Sequence, residues 1–187
     1  MQISFFEEFP TIKSLEKLKL IDFDTKIYLA AHSYKEFLNI TLRINNKHVK
    51  EFIYWPLLKK KEGYWISPFS KKNALLRIFN EIKNKKVSVM LDLELSLNKK
   101  LFFHIRKNWE NFFINKKLIR NFINKNKEIY LCEYYPGGKY KEKVLSFFGL
   151  HYNIKKSKNK IIKMMYHSMH KFNEEFMINE IKRDLKQ

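Results

Sequence analysis

The chain has 187 residues, of which 45% are hydrophobic and 16% aromatic, a composition that predicts a folded domain with a buried core and excludes a disordered chain. A single cysteine, Cys132, excludes an intrachain disulfide, and no apolar run reaches the roughly 18–20 residues that cross a bilayer. The first ten residues have no basic segment and carry Glu7 and Glu8, which is not the pattern of a secretory signal. We therefore expect one domain over residues 1–187, in the cytoplasm and without membrane contact.

The net charge is +19, from 38 basic and 19 acidic residues. Such an excess is typical of proteins that bind nucleic acid. Only five of the basic residues are arginine, however, and arginine is the residue best suited to bidentate contacts with phosphates and bases. The lysines are also dispersed along the chain. They are therefore interpreted as a solvated surface, and nucleic acid is kept as an alternative partner that is not favoured.

Six strand-like segments alternate with six helix-like segments along the chain. The predicted strands cover residues 2–6, 26–31, 49–55, 87–93, 128–132 and 160–166. The predicted helices cover residues 11–20, 34–45, 71–84, 101–124, 139–148 and 173–186, with a break expected near Asn115. Thr11 or Ser14 is expected to cap the first helix, Ser33 the second, and Gly149 is expected to follow the fifth.

This alternation predicts an α/β fold in which parallel strands are covered by helices. The leading expectation is a (β/α) barrel-like fold with about six units, incomplete relative to an eight-unit barrel, which typically needs ~200–250 residues. The alternative is an open doubly wound parallel sheet. An incomplete barrel would leave room for an oligomer or a second chain that completes it.

Acidic residues lie at or just after three of the predicted strands: Glu8, Asp92, Glu94 and Glu133. All parallel strands end on the same side of the fold, where α/β active sites are built. The sequence therefore predicts that these distant carboxylates come together there.

The segment at residues 91–95, LDLEL, makes the strongest case. Alternation along a strand places Asp92 and Glu94 on one face and the leucines on the other. An acid within an apolar strand is costly unless it is paired, bound to metal or facing a wet cavity. Each acid also has a structural explanation, namely an ion pair with one of the many lysines or a place near a helix amino terminus.

Aromatic and histidine residues accompany these strand ends. His167 follows the last strand and joins the candidate catalytic set, although a histidine there is equally often a satisfied, partly buried side chain. His151 is expected at a surface or helix position with no role. Flat rings pack on apolar faces of sugars, so the strand-end aromatics are candidate substrate contacts, with plugging of the fold as the alternative. These aromatics are Tyr54, Trp55, Tyr64, Trp65, Tyr134 and Tyr135.

Several common catalytic motifs do not occur in the sequence. There is no phosphate-binding glycine-rich loop, no HExxH pair and no G-x-S-x-G turn. Cys132 lies in an apolar strand and is interpreted as a core residue rather than a nucleophile. No residue is assigned as a metal ligand, and the cofactor is left open, with a divalent metal as one option.

Four stretches resemble an uncharacterised archaeal family of TIM-barrel-like proteins: SFFEEFP at 4–10, FIYWPLL at 52–58, GYWISPFS at 63–70 and VMLDLEL at 89–95. The similarity continues through EYYPGG and IIKMMYHSMH. The resemblance implies a barrel that, in longer members, continues past the position of Gln187. It implies no established reaction, so no catalytic role is carried over.

The function predicted from these residues is a hydrolase with an acidic site, acting on glycosidic bonds or another small-molecule substrate. Glu94 is the expected base or nucleophile and Glu133 the general acid, with Asp92 and Glu8 in support. One alternative uses the same acids to bind a divalent cation in a phosphoesterase. A second is a basic, non-catalytic nucleic-acid-binding protein, and a third is a truncated remnant with a scaffolding role.

Overall fold

The computed structural model describes residues 3–83, 85–94, 101–126, 129–135, 138–152, 159–164 and 174–184. Within these ranges, strands and helices alternate as the sequence predicts. The strands are β1 (Ser4–Glu7), β2 (Thr25–Ala31), β3 (Val49–Pro56), β4 (Met90–Asp92), β5 (Tyr130–Tyr134) and β6 (Lys160–Met164). The helices are α1 (Ile12–Lys17), α2 (Tyr34–Thr41), α3 (Lys72–Ile82), α4 (Leu101–Lys125), α5 (Lys139–Phe147) and α6 (Glu174–Asp184). Two 3₁₀ turns cover Leu18–Leu20 and Lys60–Glu62.

Polar side chains fix where the first two helices begin. The Ser14 N–H donates to Thr11 Oγ1 at 3.1 Å, and the Thr11 N–H donates back to Ser14 Oγ at 2.9 Å. At α2, the Glu36 N–H donates to Ser33 Oγ at 3.2 Å. These bonds satisfy amide groups that have no partner within the helix, so Thr11 and Ser33 are confirmed as caps.

Helix α4 runs unbroken from Leu101 to Lys125, so the expected break near Asn115 is absent. The side chain of Asn115 is buried and donates to the carbonyl oxygens of Pro68 and Ser70, at 2.9 and 2.8 Å. It therefore ties the helix to the loop that follows β3 and leaves the backbone hydrogen bonds of the helix intact. A buried polar residue in an amphipathic helix here indicates a tertiary contact rather than a helix end.

The strands pair in parallel within two three-stranded sheets, β1-β2-β3 and β4-β5-β6. A parallel bridge between Tyr54 and Val89 joins the sheets, and the Tyr54 N–H donates to the Ser88 oxygen at 2.9 Å. Within the described ranges, β6 does not pair with β1, so no closed barrel is formed. The leading barrel expectation is therefore corrected. The open edge and the parallel strand pairing support the alternative, a doubly wound parallel sheet.

The joined sheets curl strongly about one face. The ring centroids of Tyr28 on β2 and Tyr130 on β5 lie 5.3 Å apart, and Lys26 Nζ lies 3.4 Å from Tyr130 Oη. In a flat sheet, strands three positions apart would be separated by roughly 14 Å. Side chains from β2 and β5 therefore meet only because the sheet bends. We call this side the concave face; its buried residues include Tyr28, Trp55, Met90, Cys132 and Tyr134.

The opposite side of the sheet carries the larger hydrophobic cluster. Here Leu29 and Leu91 from the strands are buried with Phe37 of α2, Ile78 of α3 and Phe122 of α4. The strands β2, β4 and β5 and the second half of β3 thus bury residues on both faces, which explains their nearly continuous apolar runs. We call this side the helix face.

Candidate functional site

Strand β4 sets two carboxylates on the concave face. Leu91 and Leu93 are buried in the helix-face cluster, while Met90 belongs to the concave cluster. Alternation along the strand therefore turns Asp92 and Glu94 toward the concave side, as the sequence predicts. Both side chains are buried, with 4% and 7% exposure.

Asp92 is buried without full compensation. Its Oδ1 atom has no hydrogen-bond partner. Burial raises the pKa of Asp92 well above its ordinary value, and the charges of Glu94 and Glu8 raise it further. The Trp55 indole lies beside the carboxyl and lowers the pKa, although no hydrogen bond of ordinary geometry joins them. Asp92 therefore holds its proton to higher pH than an ordinary aspartic acid does.

Cys132 lies beside the acids at the end of β4. It is buried and is the β5 partner of Asp92 in the strand ladder. Burial raises the pKa of its thiol, and the charges of Asp92, Glu94 and Glu133 add to this increase. The thiol therefore stays protonated, which agrees with a core residue and not a nucleophile.

Glu8 reaches this group from the end of β1. It is half-buried, and its Oε1 accepts a hydrogen bond from Tyr64 Oη at 2.9 Å. Tyr64 lies in the loop between β3 and α3. In the same loop, the Ile66 N–H donates to the backbone carbonyl oxygen of Asp92 at 3.1 Å. The loop thus contacts both β1 and the end of β4. Tyr64 is one of the strand-end aromatics expected from the sequence as substrate contacts, whereas its hydrogen bond to Glu8 was not predicted.

Glu133 does not join the other three acids. The chain alternates along β5, with Leu131 in the helix-face cluster and Cys132 and Tyr134 in the concave cluster. Glu133 therefore lies on the helix side, where it is 1% exposed. The sequence analysis ended this strand at Cys132 and so treated Glu133 as a loop residue, whereas the strand continues to Tyr134.

The partners of Glu133 come from the segment after α5. Its Oε2 lies 2.8 Å from His151 Nδ1, as an ion pair rather than a straight hydrogen bond, and its Oε1 accepts the Tyr152 N–H at 2.9 Å. The close contact with the Glu133 carboxylate is the main cause that raises the pKa of His151, against a lowering by burial, and the charge of Glu133 adds to the increase. His151 is thus a paired and largely buried residue, and its expected place at the surface is wrong.

The candidate aromatic contacts fall into two groups. Trp55 and Tyr134 are buried on the concave face, and Trp65 packs against that cluster with its ring 4.9 Å from the ring of Tyr64. Tyr54 is fully buried on the helix face, where its ring lies 5.1 Å from that of Phe37. Tyr54 therefore does not line the acidic site.

Tyr135 lies just beyond β5 and is buried. Its N–H donates to the Met164 oxygen at 3.1 Å, and its ring lies 6.4 Å from that of Phe176 in α6. These contacts describe a packing residue that joins β6 and α6. His167 lies outside the described residues.

Two further observations concern the described part of the chain. No group of three or more His, Cys, Asp or Glu residues there converges in a way that could hold a metal ion. Among its helices, none combines the length and the apolar character needed to cross a membrane.

Three carboxylates from two strand ends, with aromatic rings around them, therefore form the candidate site: Glu8, Asp92 and Glu94. Comparisons of the chain with protein-family models, with curated protein sequences and with solved structures give no significant match.

Proposed function

We propose that the protein is a hydrolase that cleaves glycosidic bonds with an acid–base pair formed by Asp92 and Glu94. The observation that carries the proposal is the state of Asp92. It is buried beside two other carboxylates, one of its oxygens has no partner, and its pKa is raised well above the ordinary value. Pairs of carboxyl groups with different proton affinities are the general requirement for this reaction.

The two residues differ in the role that suits them. Asp92 retains a proton to higher pH and can donate it to a leaving oxygen as the general acid. Glu94 lies two residues further along the chain, raises the pKa of Asp92 through its charge, and is the base or nucleophile. This assigns the acid role to Asp92 in place of Glu133, because Glu133 lies on the helix side with His151 and Tyr152.

The aromatic residues around the acids favour a sugar substrate. Trp55, Tyr64, Trp65 and Tyr134 belong to or pack against the concave cluster that contains the carboxylates' neighbours Met90 and Cys132. Sugar rings present apolar faces that stack on such side chains, while their hydroxyl groups bond to carboxylates. A site with these two chemistries side by side suits a saccharide better than a purely apolar ligand.

The test is hydrolysis of two kinds of glycoside by the full chain: 4-nitrophenyl glycosides, which carry a good leaving group, and methyl glycosides, which do not. Glu94→Gln is expected to lower kcat about 100- to 10,000-fold on both, the usual cost of losing an acid–base or nucleophilic group. Asp92→Asn is expected to lower kcat mainly on the methyl glycosides, because 4-nitrophenolate leaves without protonation.

Glu7→Gln is the matched control, because Glu7 precedes Glu8 on β1 and alternation turns it away from the concave face. It is expected to keep its rate within about twofold, as surface changes do. Absence of hydrolysis of every glycoside by the wild-type chain, or equal losses in Glu7→Gln and Glu94→Gln, would contradict the proposal.

The other functions considered from the sequence have less support. A divalent-metal phosphoesterase would use the same three acids as ligands, and in the described part of the chain they do not form a group that could hold a metal ion. A nucleic-acid-binding role still rests on the net charge of +19 alone. Membership of the archaeal TIM-barrel-like family, and completion of the sheet by a second chain, remain predictions.

A further inference from the structure

The loop between β3 and α3 spans the end of the concave face. Tyr64 Oη donates to Glu8 Oε1 at 2.9 Å, and the Ile66 N–H donates to the backbone carbonyl oxygen of Asp92 at 3.1 Å. Strand β2 lies between β1 and β3, so the loop crosses one strand to reach Glu8. The same short segment therefore holds the carboxylate of Glu8 and the backbone of Asp92.

The backbone of this loop fixes the direction of the Tyr64 side chain. Tyr64 has φ +62°, a left-handed conformation that a tyrosine seldom adopts, and it is preceded by Gly63 at φ +122°. A Cβ on Gly63 would lie 2.9 Å from Ser70 Oγ and 3.0 Å from Ser70 Cα. The Leu58 N–H donates to the backbone carbonyl oxygen of Tyr64 at 2.7 Å. Strain of this kind is held in place by its surroundings and is common at functional sites.

Within the described part of the chain, the groups that face Asp92 come from four places. They are Glu94 beyond β4, Glu8 beyond β1, Trp55 on β3 with Tyr64 in the loop that follows it, and Cys132 on β5. Glu94 and Glu8 raise the pKa of Asp92, and Trp55 lowers it. Burial and the bond to Glu8 raise the pKa of Tyr64, so its hydroxyl keeps the proton that it donates.

We propose that Tyr64 is a positioning residue whose hydroxyl holds the Glu8 carboxylate toward Asp92, so that Glu8 adds to the negative charge around the general acid. The inference rests on the proposed function, because it assumes that the proton on Asp92 is used. The physical basis is that the repulsion between two carboxylates falls with distance. If Glu8 were free to turn away into solvent, it would repel an ionised Asp92 less strongly. Tyr64 thus acts through Glu8 and not through the substrate.

The experiment is a ¹³C NMR titration of the Asp92 carboxyl in the full chain. The sequence contains only four aspartates, so the spectrum of Asp92→Asn assigns the signal. Tyr64→Phe is expected to lower the pKa of Asp92 by about 1 unit, within the usual range for a neighbouring charge. Glu8→Gln is expected to lower it similarly, and Tyr64→Phe is expected to add nothing in the Glu8→Gln background. The alkaline limb of kcat on methyl glycosides should move to lower pH in Tyr64→Phe.

Tyr140→Phe is the matched control, because Tyr140 is an exposed tyrosine on α5 and loses the same hydroxyl; it should leave the titration unchanged. An Asp92 pKa that is raised in the wild type and unmoved by Tyr64→Phe would overturn this inference alone. So would a shift that persists in full when Glu8 is already glutamine. An Asp92 that titrates at its ordinary value in the wild type would instead remove the basis of the proposed function.

Discussion

Asp92 is a buried carboxyl group whose burial is only partly compensated by its neighbours. A carboxyl group buried at 4% exposure with an unpaired oxygen costs free energy that no base among the described residues offsets, since the charges acting on its pKa there come from Glu94 and Glu8. In the unfolded chain the same group ionises freely. Residues that cost stability in this way are found at functional sites, because the perturbed proton affinity is what the chemistry uses.

Asp92→Asn is therefore expected to stabilise the protein at neutral pH, by about 1–3 kcal/mol, because the amide keeps the shape of the side chain and does not ionise in the unfolded chain. The pKa of Asp92 is raised in the folded protein. As pH rises, the carboxyl group therefore ionises in the unfolded chain before it ionises in the folded protein, and this favours unfolding. The destabilisation thus grows as pH rises from about 4 and levels off above the folded-state pKa. Denaturant unfolding at several pH values measures it. A difference that is the same at pH 3 and pH 7 would contradict the explanation.

At the scale of elements, Glu133 shows how strand ends decide the role of an acid. Strand β5 extends to Tyr134, and alternation within it turns Glu133 to the helix side, where it meets His151 and Tyr152. Side chains alternate between the two faces of a strand, so the sequence places Glu133 on the same face as Leu131. This position could have been predicted if the strand had been extended from Cys132 to Tyr134. The ion pair holds the segment after α5 against the sheet.

Glu133→Gln is expected to lower the free energy of unfolding by about 1–3 kcal/mol at pH 6, because it removes the charge that pairs with His151 and keeps an acceptor for Tyr152. The pKa of His151 is raised on folding, so the pair contributes fully below about pH 6.5 and loses its contribution as pH rises through the folded-state value. The difference between variant and wild type should therefore shrink by pH 9. Thermal unfolding at both pH values measures it.

Glu142→Gln is the control for this pair, since Glu142 Oε1 lies 3.6 Å from His151 Nε2 and its side chain is more exposed, at 34%. It should cost less than Glu133→Gln at pH 6. An equal cost, or a difference for Glu133→Gln that does not depend on pH, would show that the pair does not stabilise the fold.

At the scale of the whole molecule, curvature and charge have separate consequences. The curl of the sheet brings Tyr28 of β2 to Tyr130 of β5 and also places Glu8 of β1 within electrostatic reach of Asp92 on β4. The net charge of +19 comes from 38 basic residues, of which all but five are lysine. The acidic site thus lies within a strongly basic molecule, and the two features predict different binding behaviour.

We expect the protein to bind single-stranded RNA weakly at low salt and to lose this binding steeply as salt rises, since dispersed lysines act through counterion release alone. Glu94→Gln should leave this binding unchanged. Fluorescence anisotropy with a labelled RNA, from about 50 to 500 mM salt, measures both. Binding that persists at the highest salt would favour the nucleic-acid alternative over a hydrolase.

The sequence by itself determined the features that depend on neighbours along the chain. The caps Thr11 and Ser33, the alternation of parallel strands with helices, and the placement of Asp92 opposite Leu91 and Leu93 all follow from local hydrogen bonding and from the two-residue period of a strand. Only the tertiary structure decided which acids meet, that Tyr64 bonds to Glu8, and that the sheet curls while staying open in the described strands. These depend on distances between segments far apart in sequence, and such distances are set by packing and not by any local pattern.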